Sequence, residues 1–368
     1  MGITGTRVLY VDCAPFSGGA QRSLLAIVHA LRDAGVERFV AGADGSVGGL
    51  LESCQHLGIP HGVLRSRHWS RSPVGLWQFL VDRRRIGRRL RQLAGEWRPT
   101  IIHANTVRAG LLVPGCLARE FPLVVHDRDL RAPRLARRLV AAKAGCIVAI
   151  SEAVAAHWPN GCQIVPNGLA VAEIARALPA SQYTGQVVMV ADFVPWKRHD
   201  LFLHALADVR GHHPEGKAVL VGRVRDGDAR WLERTRGLAR ELGLDESVTF
   251  LTDVTCAWPH LAACRALVSC ALDEPFGRTV VEALALGKPV VAVRGAGPEE
   301  ILRNTTAGVL VEARPSAIAS GLLQTWDWAE DPERARAARR CADRYSVPRM
   351  LRGICDIYGT LQEAPSVS

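Results

Sequence analysis

Two acids frame a short stretch in the C-terminal half of the chain. Glu274 precedes Pro275, and Glu282 follows eight residues after Glu274. Proline disfavours helix at the preceding residue, so Glu274 is expected in a loop, whereas residues 279–286 are typical of a helix. Two acids so placed could contact one polar ligand at two points, while free N–H groups at the helix N-terminus could meet a phosphate. A solvated loop acid and an ordinary surface glutamate explain the pattern equally well.

Two adjacent cations precede another predicted helix. Lys197 and Arg198 follow Pro195, which marks a loop, and lie just before the apolar pattern of the next residues. Cations beside a helix N-terminus suit a diphosphate. A solvated basic loop is the more usual explanation of an isolated Lys-Arg pair.

Two stretches of the N-terminal half could contribute to the same chemistry. Gly18 and Gly19 lie between a strand-like run and a helical pattern, where glycine lets a phosphate or sugar approach closely. A plain strand-to-helix turn is the favoured alternative there. His126 and Asp127 end an apolar run, where a polar pair is well placed to meet a substrate. A histidine packed at a domain edge is an equally good explanation.

Composition limits the class of protein. The chain has 368 residues, of which 48% are hydrophobic, which is enough for two domains with their own cores. No apolar run approaches the length of a membrane span, and we expect no signal peptide. The ten cysteines form no CxxC pair, so we expect neither a metal site nor disulfides, and a cytoplasmic location fits.

The net charge of +10 is unevenly distributed. Residues 1–180 contain 23 Lys and Arg against 12 Asp and Glu, whereas residues 181–368 contain 23 against 24. The N-terminal half should therefore face an anionic partner. Nucleic acid is not expected, because the basic residues lack interleaved aromatic residues and no known binding motif is present.

The elements that would position these residues alternate between strand-like and helical patterns. The strand-like runs are 7–13, 38–43, 100–105, 121–127 and 145–151, then 186–193, 217–222, 247–251, 265–271, 289–293 and 307–311. Helical patterns include 20–34, 78–97, 229–242 and 279–286. The alternation predicts an α/β fold with two doubly wound, Rossmann-like domains, separated by a polar linker at 179–185. Ligands of such sheets bind at the carboxyl ends of the strands, so we expect a site in an interdomain cleft.

One predicted helix, residues 81–97, is unusually basic. Ile86, Leu90, Leu93 and Trp97 recur at helical spacing, and arginines occupy much of the remaining surface. Such a helix could lie on an anionic membrane. Packing of the apolar stripe on the sheet is the preferred interpretation.

Taken together, these stretches resemble the retaining nucleotide-sugar glycosyltransferases of family 4, which have the GT-B architecture. EPFGRTVVEALALGKPVVA resembles the family's two-glutamate motif, and GGAQRSLL, HD, VPNGLA, PWKRHDLFLHAL and AGPEEIL occur in the family's order. YSVPRMLRGICDIYGTLQ resembles the closing helix that crosses back to the first domain. The resemblance covers nearly the whole chain. It implies an acceptor-binding domain at 1–178, a nucleotide-sugar-binding domain at 179–345 and the crossing helix at 346–368.

The resemblance also implies roles for individual residues. Glu274 would face the hydroxyls of the donor sugar, Glu282 would accept hydrogen bonds from the ribose, and Lys197 would hold the diphosphate. His126 would lie against the sugar at the reaction centre, which makes His126, Glu274 and Lys197 the implied catalytic residues. The remaining implied donor-binding residues are Gly18, Gly19, Arg198, Phe276, Gly277, Arg278 and Thr279. No metal and no other cofactor would be needed.

The chain departs from the family at one position. Many members carry a second diphosphate cation five residues before the lysine, where this chain has Asp192. A carboxylate repels phosphate. Arg198, Arg223 or Arg278 could supply the missing charge.

The implied activity is transfer of a hexose, with retention, from a UDP or GDP sugar. The acceptor would be a small molecule, such as a natural-product intermediate, or a lipid-linked precursor of a bacterial cell envelope. The protein would be cytoplasmic, with peripheral contact to the inner face of the membrane as a further expectation. A non-hydrolysing nucleotide-sugar epimerase of the same architecture and a non-catalytic nucleotide-sugar-binding protein are the alternatives.

Overall fold

The computed structural model describes residues 3, 5–14, 18–43, 49–66, 73–224, 227–303 and 305–363. The chain forms two compact units. The first comprises Met1–Gly168 together with Val347–Ser368, and the second comprises Leu169–Ser346.

The first unit is built on a parallel sheet, which has seven strands in its described part. They are β1 (Arg7–Val11), β2 (Glu37–Ala43), β3 (His61–Leu64), β4 (Ile101–Ala104), β5 (Leu123–Asp127), β6 (Cys146–Ala149) and β7 (Gln163–Ile164). Their order is β3-β2-β1-β4-β5-β6-β7. The chain thus winds outward from β1 in both directions, which is the doubly wound arrangement.

Helices cover both faces of this sheet. They are α1 (Gly19–Ala30), α2 (Leu50–His56), α3 (Pro73–Trp97), α4 (Val107–Leu112), α5 (Gly115–Glu120), α6 (Arg134–Ala141) and α7 (Glu152–Ala155). Successive residues of a strand point to opposite faces. Accordingly, Val8 and Tyr10 of β1 belong to one apolar core, and Leu9 and Val11 belong to the other.

The last described helix of the chain, α16 (Val347–Glu363), completes the core of the first unit. Its apolar stripe, including Met350, Ile354 and Ile357, is buried. The Tyr358 hydroxyl lies 3.0 Å from that of Tyr10, and both side chains are fully buried. Residues distant in sequence therefore close one face of this sheet.

The second unit repeats the design. Its strands are β8 (Val187–Val190), β9 (Ala218–Val221), β10 (Val248–Leu251), β11 (Ala266–Ser269), β12 (Val290–Val293) and β13 (Gly308–Val311), in the order β10-β9-β8-β11-β12-β13 and all parallel. Its helices are α8 (Val171–Ile174), α9 (His199–Arg210), α10 (Ala229–Glu241), α11 (Trp258–Ala263), α12 (Arg278–Ala285), α13 (Ala296–Leu302), α14 (Pro315–Gln324) and α15 (Pro332–Asp343). The predicted fold class, two doubly wound α/β domains, is confirmed.

The boundary between the units differs from the predicted one. The first unit ends at Gly168, ten residues before the predicted boundary at residue 178. The predicted linker packs on the second unit instead, because the Ala180 N–H donates to Pro259 O at 2.9 Å and the Gly185 N–H donates to Ala263 O at 3.0 Å. The polar, turn-rich segment that was predicted as a linker is therefore a surface segment of the second unit.

Candidate active site

The two-glutamate stretch folds as a loop followed by α12. Gly277 precedes the helix with φ of +96°, a left-handed conformation that glycine adopts at little cost. Glu274 lies in the loop, and Glu282 lies inside the helix. The predicted helix 279–286 matches the observed one within a residue at each end.

A second glycine turn supports this loop from α13. The Gly297 N–H donates to the carbonyl of Glu274 at 3.0 Å. A Cβ at position 297 would lie 2.2 Å from the Phe276 carbonyl oxygen, so only glycine permits this approach. Ala296 has φ of +45°, which is uncommon for a residue with a side chain. The start of α13 thus fixes the backbone that carries Glu274.

Lys197 and Glu274, predicted separately to meet the ligand, form an ion pair with each other. About one fifth of each side chain is exposed. The Lys197 ammonium also lies 4.0 Å from the ring centroid of Trp196, within cation–π range. The fold therefore brings together a cation and an acid that are 77 residues apart in the sequence.

Arg198 is held by its own helix. It precedes α9 with φ of +57°, and its guanidinium donates to both oxygens of Asp200, at 3.1 Å from Nε to Oδ1 and 3.0 Å from Nη2 to Oδ2. The Asp200 carboxylate raises the pKa of Arg198. The first turn of α9 therefore engages this cation.

Asp192 pairs with Arg223, which the sequence suggested as a source of the missing charge but not as a partner of this acid. Arg223, just after β9, places Nε 3.2 Å from Asp192 Oδ1. The backbone at Gly222 packs tightly against Ala191. A Cβ at position 222 would lie 1.9 Å from the Ala191 carbonyl oxygen, so only glycine permits this close approach of the two segments. The carboxylate at the unusual position thus lies beside a positive charge.

Glu282 is not an ordinary surface residue. It is only 8% exposed, and its carboxylate lies 3.7 Å from the guanidinium of Arg278, one turn earlier in α12. Phe276 is also buried, with its ring in a T-shaped contact with that of Tyr345, and Thr279 is half-buried. A buried carboxylate is costly unless polar groups contact it. The burial of Glu282 therefore favours a role in binding a polar ligand over that of a solvated surface acid.

The predicted Gly18-Gly19 turn lies at the start of α1. Residues 15–17 before it lie outside the described part of the chain. Gly18 has an extended backbone, and its N–H donates to Gln21 Oε1 at 3.0 Å. Gln21 Nε2 in turn donates to the Asp12 carboxylate at 3.0 Å. The turn is thus tied to the carboxyl end of β1.

His126 is fully buried at the carboxyl end of β5. Its Nδ1 lies 3.1 Å from Nη2 of Arg128, whereas its Nε2 has no hydrogen-bond partner among the described residues. Burial and the charge of Arg128 hold the pKa of His126 well below its usual range, so the ring is neutral at pH 7.

Asp127, the other member of the predicted pair, is buried in the first unit and hydrogen-bonded there. Its Oδ2 accepts hydrogen bonds from Arg137 Nε at 2.9 Å and Trp158 Nε1 at 3.0 Å. The polar pair at this strand end therefore separates into a structural acid and a histidine whose Nε2 has no partner in the described part of the chain.

Sequence reasoning missed a buried polar cluster around His126. Its members are Asp12, Ser23, Asn105, Arg128 and Asn167. Asp12, Asn105 and Arg128 each come within a residue of the end of β1, β4 or β5. A polar residue at the end of each of three apolar runs was the signal that could have identified them.

The apolar stripe of the basic helix packs on the sheet, as the preferred interpretation predicted. Ile86 and Leu90 of α3 are each 1% exposed, and Trp97 lies 5.8 Å from the ring of Phe39. A different apolar set is exposed on the first half of α3. It comprises Trp77, Leu80 and Val81.

Each of the ten cysteines is a free thiol. Among the described residues, no three His, Cys, Asp or Glu side chains are grouped as a metal site would require. Within the same ranges, no helix combines the length and the apolar character needed to cross a membrane.

Comparison with known proteins gives consistent matches to one class of enzyme. A sequence profile described as Glycosyltransferase Family 4 matches residues 17–173, and one described as Glycosyl transferases group 1 matches residues 172–341. D-inositol 3-phosphate glycosyltransferase of Corynebacterium efficiens is 26% identical over 351 residues, spanning 87% of this chain and 72% of that protein. The lipopolysaccharide core biosynthesis glycosyltransferase LpsE of Rhizobium meliloti is 23% identical over 312 residues, spanning 80% and 81%.

The fold has solved counterparts. The crystal structure of Anabaena HepE in complex with UDP and glucose superposes with a TM-score of 0.79 at 24% identity, covering 96% of this chain and all of that one. The two parallel, doubly wound sheets match this structure, and the two glycosyltransferase profiles together match residues 17–341. The chain therefore has the GT-B fold of that structure, and its two units resemble the domains that the two profiles describe.

Proposed function

We propose that the protein transfers a hexose from a UDP or GDP sugar to an acceptor and retains the anomeric configuration. The observation that carries this proposal is the Lys197–Glu274 ion pair in front of α12, with the largely buried Glu282 one turn inside that helix. A cation, a loop acid and a buried acid at one helix start match the needs of a diphosphate, a sugar and a ribose. The Anabaena structure, which contains UDP and glucose, supports the donor class.

In this mechanism Lys197 neutralises charge on the departing diphosphate, which is the step that needs stabilisation. The backbone N–H groups from Phe276 to Thr279 lie at the start of α12 and add hydrogen bonds to the sugar and the diphosphate. Glu274 accepts hydrogen bonds from sugar hydroxyls, and Glu282 accepts them from the ribose. His126 contacts the transferred sugar.

Three cations are candidates for a second contact to the diphosphate. Arg223 lies beside Asp192, and Arg278 begins α12 near Glu282. Arg198 is a third candidate, and its guanidinium is bidentate on Asp200 as that of Arg223 is on Asp192. With these groups available, we propose that turnover needs no divalent metal.

Retention follows from the direction of attack. The acceptor enters on the face that the diphosphate leaves, and a phosphate oxygen helps to take its proton. We therefore expect an α product from an α-linked nucleotide sugar. Proton NMR of the product distinguishes the anomers by their coupling constants, and an inverted product would refute this mechanism.

The donor is identified by ligand-induced thermal shifts with a panel of UDP and GDP sugars. Transfer is then measured as acceptor-dependent release of nucleoside diphosphate, with and without EDTA. The relatives suggest two first acceptors, D-inositol 3-phosphate and a lipopolysaccharide core. Activity lost in EDTA and restored by magnesium or manganese would contradict the metal-free proposal.

The same assay separates the alternatives. An epimerase would convert the nucleotide sugar without any acceptor, and a binding protein would show a thermal shift but no release of nucleoside diphosphate. Either result would overturn the proposed transferase activity.

We also propose that the first unit contacts anionic membrane lipid through α3. The exposed Trp77, Leu80 and Val81 lie on the same helix as the exposed Arg84 and Arg85. Apolar side chains with flanking arginines suit the interface of an anionic bilayer.

Replacing Arg84, Arg85 and Arg88 with glutamine should abolish binding to liposomes that contain anionic lipid. Binding by the unaltered protein should fall steeply with salt, because exposed charges are screened. The matched control replaces three exposed arginines of α15, namely Arg336, Arg339 and Arg340, which makes the same change in net charge. If the unaltered protein ignores anionic liposomes at low salt, or if the control loses binding equally, the membrane proposal fails.

A further inference from the structure

Arg128 occupies an unusual place for an arginine. It is 8% exposed, just after the end of β5, and its guanidinium donates in several directions. Nε donates to Asn105 Oδ1 at 2.9 Å, and Nη1 donates to Ser23 Oγ at 3.0 Å and to Asn167 Oδ1. Nη2 faces Nδ1 of His126 at 3.1 Å. Partners on three sides therefore hold the guanidinium in one orientation.

The buried positive charge has a buried counterpart. The Asp12 carboxylate accepts from Asn105 Nδ2 at 2.6 Å, and the oxygen of the same Asn105 amide accepts from Arg128. The amide therefore points its donor at the acid and its acceptor at the cation. The Asn105 amide thus lies between the acid and the cation with its dipole favourable to both, which stabilises the buried charge of Arg128.

The contact from Arg128 determines where the His126 ring carries its proton. A guanidinium has only donors and stays protonated in proteins. The nitrogen that faces it, Nδ1, must therefore act as an acceptor. A neutral imidazole has one acceptor nitrogen and one N–H, so the hydrogen lies on Nε2.

The resulting Nε2–H is buried and has no acceptor among the described residues. A buried donor without a partner is costly, and a ligand oxygen that reached it would remove that cost. The titratable ring of His103 has its centroid 5.5 Å from that of His126, and its Nδ1 is 2.6 Å from the Tyr358 hydroxyl.

We propose that Arg128 is a positioning residue that fixes His126 as the Nε2–H tautomer. The ring then donates a hydrogen bond from Nε2 to a ligand oxygen and cannot act there as a base. The assignment of the tautomer stands on the geometry of the first unit alone, whereas the role toward a ligand rests on the proposed function.

The tautomer can be read directly in protein labelled with ¹⁵N-histidine. Long-range ¹H–¹⁵N correlation spectra at pH 7, with the His126 signals assigned from the His126→Gln variant, should show a protonated Nε2 and an unprotonated Nδ1. A protonated Nδ1, whether in the other tautomer or in the imidazolium, would overturn the proposal. This measurement uses the unaltered protein and does not depend on any variant of Arg128.

The positioning role is tested with Arg128→Met, which keeps an unbranched side chain and removes every donor. The other tautomer or the imidazolium should now be populated at pH 7, while the His103 signals serve as the internal control. If the variant folds and keeps the His126 signals of the unaltered protein, Arg128 is not the determinant.

The ligand role is tested by two replacements of His126 in the acceptor-dependent assay. Glutamine retains a hydrogen-bond donor near the position of Nε2, and methionine has none. If His126 donates a hydrogen bond to the ligand, the His126→Met variant should turn over about 10-fold more slowly than the His126→Gln variant. A factor of this size is expected for the loss of one hydrogen bond. Equal losses of about 100-fold or more in both variants would indicate a base and overturn the donor role. Failure of the proposed function has a different signature, because the unaltered protein would then release no nucleoside diphosphate while the tautomer stayed as predicted.

Discussion

Replacing Lys197 with alanine is expected to lower kcat by a factor of about 100 or more. The effect should fall mainly on kcat, because stabilisation of the departing diphosphate is needed most in the transition state. The lysine is well placed for this task, since it is four-fifths buried and paired with Glu274 in front of α12. Acceptor-dependent release of nucleoside diphosphate under saturating donor measures the loss.

Two controls separate the role in catalysis from simple loss of a positive charge. Lys217, exposed before β9, offers the same substitution away from α12, and Lys217→Ala should retain normal kcat. Glu274→Gln tests the partner, because it keeps the shape of the side chain and removes the ion pair. A folded Lys197→Ala protein with kcat within threefold of the unaltered enzyme would remove Lys197 from the mechanism.

Replacing Glu282 with alanine should weaken binding of the cognate nucleoside diphosphate by about 1–3 kcal/mol, or roughly 5- to 150-fold in Kd. The carboxylate is largely buried near Arg278, so its loss removes a charged acceptor that solvent cannot replace well. Calorimetric titration with UDP and with GDP measures the change and also shows which base is preferred.

The matched control for this change is Glu299 in the first turn of α13. It is another acid near the start of a helix, and it pairs with the exposed Arg294 at 3.2 Å. Glu299→Ala should leave the affinity for nucleoside diphosphate within twofold of normal. Equal affinities in the Glu282→Ala protein and the unaltered protein would reject the ribose assignment.

The fold was predictable because each predicted strand is an apolar run between turn signals. The two strands that escaped prediction lack that pattern. Residues 61–64 form a four-residue edge strand that begins with histidine and glycine, and Gln163–Ile164 is a two-residue edge strand exposed to solvent. Edge strands that lack an apolar run are recognised by their hydrogen bonds to a neighbour, which a local pattern does not reveal.

The sequence predicted which residues belong to the candidate site, but it did not predict which of them form ion pairs with each other. A carboxylate at position 192 suggests repulsion of phosphate when it is read in the sequence alone. The partner of Asp192 comes from the end of the adjacent strand, 31 residues later, and only the parallel register brings the two together. The Lys197–Glu274 pair depends on an even longer separation. Tertiary contacts of this kind are set by topology, not by local spacing.

The arrangement of α16 has a consequence for the order in which the chain matures. Residues 169–346 contain every strand of the second sheet, whereas the first sheet acquires Ile354, Ile357 and Tyr358 only from residues after 346. Domains fold as units while the chain is being synthesised from its N-terminus. The unit that begins first on the ribosome is therefore the one that is finished last. Until residues 347–363 emerge, the nascent chain lacks the helix that covers the apolar surface of α1 and β1.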